Sequence, residues 1–380
     1  MADEQTKQRL TGLDIFRGLA VAGMIIVNTP GNWDFVWWPL DHAAWHGFTP
    51  TDLVFPAFLF AVGVALGLSF PKRIDSTIWR RIVRRTLLLI AIGWAFQFLV
   101  HPNLAHFRVF GVLVRIGLCY ALTATLAILT ARRDAEGRSH LNLPVLSGII
   151  VAALLGYWAL MALVPVPGFG AGQLTPEGNL AGYVDRMLAT PAHMWSGGTD
   201  AAGNIVYDPE GLLSTIPALA NVLFGMLAAA LWKAAPDRST LRIALAGAVL
   251  VVIGLAFAQV FPLNKKLWTS SFALLTSGLS AMLLALAMVA TRSAAIRKAL
   301  SPLHMLGMNA ILGYILSLLI GIAGFKLHVG GDTLQGWCFA HLQLAIPDPW
   351  LASFAYAVIA LLIVFAALLP LHRRGIHLRL

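Results

Sequence analysis

His42 follows Asp41 directly and precedes Asp52 by ten residues, in the run HAAWHGFTPTDLVFPAFLFAVG from His42 to Gly63. An imidazole beside a carboxylate is the usual equipment of a general base. The carboxylate orients the ring and favours its protonated form, and an ordinary pKa near 6.5 suits proton transfer at neutral pH. The setting sharpens that reading: the run passes from a polar connection straight into an apolar stretch, where ionisable groups are costly to keep. Taken alone, His42 reads more readily as a solvated interface residue. His42 and His46 have metal-like i,i+4 spacing, but Gly47 and Pro50 argue against a helix there. No further ligand is placed, so the pattern predicts no metal.

The stretch before it, LDIFRGLAVAGMIIVN, carries its own polar residues. Asp14 and Arg17 lie three apart and share a helix face, where they can pair or simply anchor the helix end. Arg17 and Asn28 are eleven apart, about three turns and roughly 16 Å along the same face. Asn28 is an interhelical hydrogen bonder or the outer amide of a face that starts at the Asp14–Arg17 pair.

Other polar residues fall inside or beside apolar stretches: Arg115, Asn221, the pair Lys265–Lys266, and His304 with Asn309. Arg115 is expected about two turns in from one membrane face, needing a buried partner or an anionic ligand. Lys265 and Lys266 are expected to pair with Asp208 and Glu210, or else to meet an acidic ligand. Trp33, Trp37, Trp38 and Trp45 crowd one connection, as an aromatic interface belt or as sugar-stacking surfaces. Walker loops, GxGxxG fingerprints and GxSxG elbows are missing, so ATP-driven transport, flavin chemistry and serine hydrolysis have no support.

The elements that must position these residues are membrane helices. Of 380 residues 58% are hydrophobic and 12% charged, and the mean hydropathy is +0.77, well outside soluble averages. The polar start, MADEQTKQRLTG, has no signal-peptide pattern. About 20 apolar residues cross a bilayer. Ten stretches qualify, near 11–30, 52–70, 82–100, 109–130, 141–164, 211–232, 241–261, 270–290, 302–324 and 351–371. The expected fold is an all-α polytopic membrane bundle, a single domain over 1–380 with outer lid loops near 165–210 and 325–350.

The net charge of +10 is topological rather than a nucleic-acid footprint. One side holds 21 of the 27 Lys and Arg residues, counting Arg17 just inside the first stretch, from Lys7 and Arg9 through the Lys72–Arg85 group to Arg373, Arg374 and Arg379. By the positive-inside bias both termini are cytoplasmic. Arg84 and Arg85 read as lipid-facing anchors. Cys119 lies in a span and Cys338 in an outer connection, so no disulfide is expected.

Taken in order, these segments resemble the heparan-α-glucosaminide N-acetyltransferase family, including its bacterial NagX-type members. The resemblance runs through LDIFRG at 13–18, MIIVNTPG at 24–31, HAAWHGFTPTDLVFPAFLF at 42–60 and RVFGVLVRIGLCY at 108–120. It continues through YDPEGLLSTIPA at 207–218, NKKLWTSSF at 264–272 and LGMNAILGY at 306–314. It implies transfer of acetyl from cytosolic acetyl-CoA to a glucosamine-type amine across the membrane, with His42 catalytic, Asn28 beside it to hold the ring or to donate to a developing oxyanion, and Asp52 orienting the imidazole. On this resemblance the chain is expected to lack the extra N-terminal region of the lysosomal members and to have a longer Asn28-to-His42 spacing.

On this reading Arg17, Arg115 and His304 are the candidate acetyl-CoA residues. Trp45, Asp208, Glu210 and Lys265 are the candidate acceptor residues. The lipid bilayer is the expected setting, a multi-pass inner membrane with the site toward the periplasm, and a homodimer stays open. Two other functions stand beside it: a secondary transporter of amino sugars with Asp14, Asp52 and His42 as a proton relay, and a non-enzymatic scaffold.

Overall fold

The computed structural model of the chain describes residues 2–234 and 238–376, with side chains from residue 11 onward. The side chains of Lys7 and Arg9, and all of His377 and Arg379, lie outside the described residues. The elements in chain order are α1 (Ala2–Asn28), α2 (Val54–Leu68), α3 (Ser76–Val100), α4 (Val112–Leu129), the hairpin β1 (Arg132–Arg133) and β2 (Ser139–His140), α5 (Leu143–Leu163) and α6 (Leu180–Ala189). There follow α7 (Thr215–Ala234), α8 (Ser239–Phe257), α9 (Ser270–Ala290), α10 (Ala294–Ala299), α11 (Ser301–Met308) and α12 (Ala310–Lys326). A second hairpin, β3 (His328–Val329) with β4 (Asp332–Thr333), leads into α13 (Leu334–Ala345) and α14 (Pro349–Arg373).

Among the described residues, nine helices are long and apolar enough to cross a membrane: α1, α2 with the 3₁₀ turn Pro50–Leu53 that precedes it, α3, α4, α5, α7, α8, α9 and α14. The protein is thus an all-α polytopic membrane protein. The expected span over 302–324 is not one straight helix. It is α11 and α12, bent by 92° where they meet. Asn309 causes the break: its backbone leaves the helical region (φ −120°, ψ 35°), and its side-chain amide donates back to the Met305 carbonyl at 3.2 Å. Short polar side chains compete with the helix ladder in this way.

Local signals set the ends of the elements. Asp75 caps α3 by accepting from the amides of Thr77 and Ile78. Asn179 caps α6, Thr333 caps α13, and Asp348 with Pro349 opens α14. Both long connections are ordered, the first around α6 and the second as the β3–β4 hairpin followed by α13.

The chain divides into two compact units. The first comprises Met1–Ala43, Phe48–Phe58 and Met282–Leu380. Its defining contact is α1 against α11. A Cβ built at Gly18 would lie 1.9 Å from the Leu303 carbonyl oxygen, and one at Gly307 would lie 1.7 Å from that of Asp14. Only glycine permits such an approach, and close backbone packing is what holds helices together where lipid is as apolar as leucine.

The second unit comprises Ala44–Gly47 and Leu59–Ala281. Here α2 meets α7 the same way, with Gly63 against the Val222 carbonyl and Gly225 against that of Phe60. Asn221, inside α7, donates to Ser277 Oγ at 2.8 Å and Thr276 Oγ1 at 3.1 Å and accepts from Trp268 Nε1 at 2.9 Å. A fully satisfied amide of this kind ties α7 to α9. Arg85 is half-buried with its guanidinium 4.9 Å over the Tyr120 ring. Arg84 is exposed.

Candidate functional site

The segment after α1 turns back on itself so that Asp52, in the 3₁₀ turn that opens α2, faces His42. Asp52 Oδ1 lies 2.7 Å from His42 Nδ1. Its other oxygen accepts from the amides of Thr49 at 3.0 Å and Ala43 at 3.3 Å. The Thr49 hydroxyl lies 2.6 Å from the Asp41 carbonyl and 3.1 Å from Asp52 Oδ2. Thr49 and Asp52 form a capping box, with Pro50 at the first position of the turn. A carboxylate at a helix N-terminus is favoured by the free amides there. Asp52 is fully buried, while the His42 side chain keeps 36% of its surface exposed. Asp41 caps the His42 amide at 2.7 Å.

This geometry fixes the ring chemically. With Nδ1–H given to a buried carboxylate, the imidazole lone pair resides on Nε2, and the charge that forms on protonation is met at once. Asn28 ends α1 and is exposed. Among the described residues its side chain makes no hydrogen bond to His42.

On the other half of the first unit Asp14, Arg17 and His304 converge. Arg17 Nη1 lies 3.4 Å from Asp14 Oδ1, and His304 Nε2 lies 3.8 Å from Asp14 Oδ2. Each side chain is between 24% and 29% exposed. The α1–α11 crossing at Gly18 and Gly307 is what brings His304 to Asp14.

The second unit holds a denser cluster. Arg108 forks onto Asp208, Nε to Oδ2 at 2.8 Å and Nη2 to Oδ1 at 2.6 Å, and Nη2 reaches Glu210 Oε2 at 2.6 Å. Burial alone would lower the Arg108 pKa, but the two carboxylates overcome it and raise the pKa above its usual value. Asp208 also accepts from the amides of Trp195 and Glu210. Asp185, from α6, takes the Leu212 amide at 2.8 Å. Burial, opposed by that hydrogen bond, pushes its carboxyl up to about 7.

Arg115 closes this cluster from below. It is 1% exposed, with Nη2 donating to the Gly211 carbonyl at 2.8 Å and to Ser214 Oγ at 2.5 Å and its guanidinium 5.1 Å over the Trp268 ring. It sits in the first turn of α4, which begins at Val112. Trp45 donates Nε1 to the Leu174 carbonyl at 2.8 Å and meets Tyr207 edge-on at 4.9 Å. Burial lowers the pKa of the neighbouring His46 and so favours its neutral form.

Lys266 does not pair with Asp208 or Glu210. Its Nζ donates to the Ala44 carbonyl at 2.5 Å and lies 5.8 Å over the Trp45 ring, while the two acids are claimed by Arg108. Arg108 was therefore missed. Thr49 and Asp185 were missed as well. Thr49 was legible in TPTD, whose threonine and aspartate have capping-box spacing. Among the described residues no three His, Cys, Asp or Glu side chains group so as to hold a metal ion.

Residues 9–168 match the family model described as heparan-alpha-glucosaminide N-acetyltransferase, catalytic. That interval contains Arg17, Asn28, His42, Trp45, Asp52, Arg108 and Arg115. The chain is 31% identical over 310 residues to the human heparan-alpha-glucosaminide N-acetyltransferase, covering 70% of this chain and 46% of that protein. The mouse protein of the same name is 29% identical over 310 residues, with 70% and 46% covered. The chain spans about half the length of these curated relatives and is homologous to their family over part of its own.

Proposed function

We propose that the protein is a transmembrane N-acetyltransferase that takes acetyl from acetyl-CoA at the cytoplasmic face and gives it to the amine of a glucosamine-type sugar or glycan on the other side. The observation that carries this reading is the His42–Asp52 pair, 2.7 Å apart, inside the stretch that matches an acetyltransferase catalytic family. The uneven placement of Lys and Arg supports the orientation proposed, with both termini on the cytoplasmic side.

The chemistry follows from the ring's geometry. A neutral amine attacks the thioester carbonyl, and its proton passes to His42 Nε2 as the new C–N bond forms. The C–S bond then breaks, and the imidazolium returns the proton to the departing thiolate. Asp52 is the positioning residue, holding the tautomer and stabilising the charged ring. Asn28, exposed at the end of α1, donates its amide to the carbonyl oxygen as that oxygen gains charge. Arg17 and His304 receive the phosphates of CoA. Arg115 is sealed beneath Gly211 and Ser214, so in this arrangement it braces the Asp208–Glu210 loop.

The test is reconstitution in vesicles with labelled acetyl-CoA supplied on the cytoplasmic side, a panel of amino sugars on the other, and product identification by mass spectrometry. N-acetylated sugar should form with the native protein and not with a correctly folded His42→Ala variant. Full activity of that variant would remove the mechanism.

One observation favours a second reading, an amino-sugar transporter: the 92° break at Asn309, whose Oδ1 is buried without a partner. Broken helices build midplane sites in transporters. No second such break occurs among the described residues, whereas repeat-built transporters carry them in pairs. Sugar flux that follows a proton gradient and ignores acetyl-CoA would decide for this reading.

A further inference from the structure

Between α12, α13 and α14 lies a cavity of about 520 Å³ walled almost wholly by apolar side chains. α13 is its partition. Leu334, Trp337, Cys338, His341, Leu342 and Ala345 face the cavity at the three- and four-residue spacing of one helix face. The opposite face of α13 meets the segment that leads from α1 to His42. Gln335 Nε2 donates to the Pro30 carbonyl at 2.7 Å, and the Phe339 ring stacks on Phe35 at 6.2 Å. Tyr356 joins the two sides, since it lines the cavity and its Cβ would lie 2.9 Å from a Cβ built at Gly31.

The cavity opens toward lipid. Ile359 and Ile363 line it and are 42% and 51% exposed on α14, a helix of membrane-crossing length that turns most of its surface outward. A concave apolar slot on such a face fits a flexible hydrocarbon chain. Ala323 and Gly324 at its floor leave room where larger side chains would fill it. His341 spends its Nδ1–H on the Trp337 carbonyl at 2.8 Å, and its ring lies 3.9 Å from that of Trp337. The wall therefore offers little to a polar guest.

We propose that this cavity holds the alkyl chain of a lipid-linked amino-sugar acceptor, placing its sugar by the Pro30–His42 segment on the far side of α13. The proposal rests on the acetyltransferase reading and narrows the acceptor class from free sugars to amphiphiles.

The experiment uses the full chain in lipid nanodiscs with acetyl-CoA and two acceptors, methyl and dodecyl β-glucosaminide. The native protein should prefer the dodecyl compound in kcat/KM. The paired change Ala323→Phe with Ala345→Phe should cut the dodecyl-to-methyl ratio about tenfold, the effect of excluding roughly two methylenes from burial. Partition into the disc is common to both proteins and cancels in that comparison. An unchanged ratio would overturn the proposal.

Binding is read separately from activity. A bimane label on Cys338 should be quenched by a dodecyl glucosaminide brominated at its chain end, saturably, and less so in the doubly filled variant. Acetylation of neither acceptor together with such quenching would sink the acetyltransferase reading and leave the groove as a glycolipid site. Equal quenching by a phosphatidylcholine with brominated chains would overturn the proposal in favour of ordinary bilayer lipid. Disulfide cross-linking between Cys338 of two chains would overturn it in favour of a second copy.

Discussion

Asp52 and His42 are ten residues apart in sequence and 2.7 Å apart in space, and the carboxylate is the sealed partner: Asp52 is fully buried, while His42 keeps 36% of its side chain exposed. A buried carboxylate is tolerated only when its oxygens are satisfied. Asp52 meets that condition with two backbone amides and the imidazole. The same contacts that make the acid affordable in the fold leave it one job toward His42, which is orientation.

Replacing Asp52 with Asn keeps the shape but offers an amide where the ring needs a carboxylate. Acetyl transfer should fall by roughly 10²–10⁴, the span over which general-base and tautomer defects act. Losing the neighbouring negative charge lowers the imidazole pKa, so the acidic limb of the kcat/KM profile should move to lower pH. A pH series on the native protein and on Asp52→Asn measures both effects, and an unshifted limb would mean that Asp52 only caps the turn.

The sequence displayed this pair because Asp52 and His42 stand close along the chain and the residues between them spell a turn. It also displayed the spans, since about 20 consecutive apolar residues need little context. It could not display Arg108 with Asp208, which are 100 residues apart and joined only by the fold. The break at Asn309 was hidden for a related reason: an Asn inside LGMNAILGY looks like an interhelical hydrogen bonder until the backbone shows that it has left the helix.

The Arg108 fork predicts a stability effect. Removing one partner of a buried pair leaves an uncompensated charge, at a cost of about 3–5 kcal/mol. Arg108→Ala should therefore strongly lower the thermal midpoint of the detergent-solubilised protein. Asp208→Asn and Glu210→Gln combined with Arg108→Met remove all three charges of the fork and should recover much of that loss. A midpoint for Arg108→Ala equal to the native one would show that the fork contributes nothing.

Asp185 predicts how stability changes with pH. Burial raises its carboxyl from the usual 3.8 to about 7, so the folded protein holds a proton there that the unfolded chain releases near pH 4. Between those values the native state binds more protons, and stability falls as pH rises. The contribution is complete below about pH 4 and gone above about pH 7. Asp185→Asn keeps an acceptor for the Leu212 amide and removes the titration. Its unfolding midpoint should then decline less than the native one between pH 5 and 7 in buffered thermal melts.

The α1–α11 crossing supplies the last prediction, because it ties packing to the proposed donor site. A Cβ at Gly307 would lie 1.7 Å from the Asp14 carbonyl oxygen, too close for either backbone to stay in place. Gly307→Ala must push α11 away from α1, at a cost of about 1–3 kcal/mol. The same shift pulls His304 from Asp14, a contact already 3.8 Å long. Arg17→Ala instead removes a charge without touching the crossing. If this cluster receives CoA, Gly307→Ala should lower the thermal midpoint of the free protein and also shrink the stabilisation that CoA provides. Arg17→Ala should shrink that stabilisation with little change in the free protein. Full CoA stabilisation in Arg17→Ala would move the donor site elsewhere and leave the Asp14–Arg17 pair as an anchor for the end of α1.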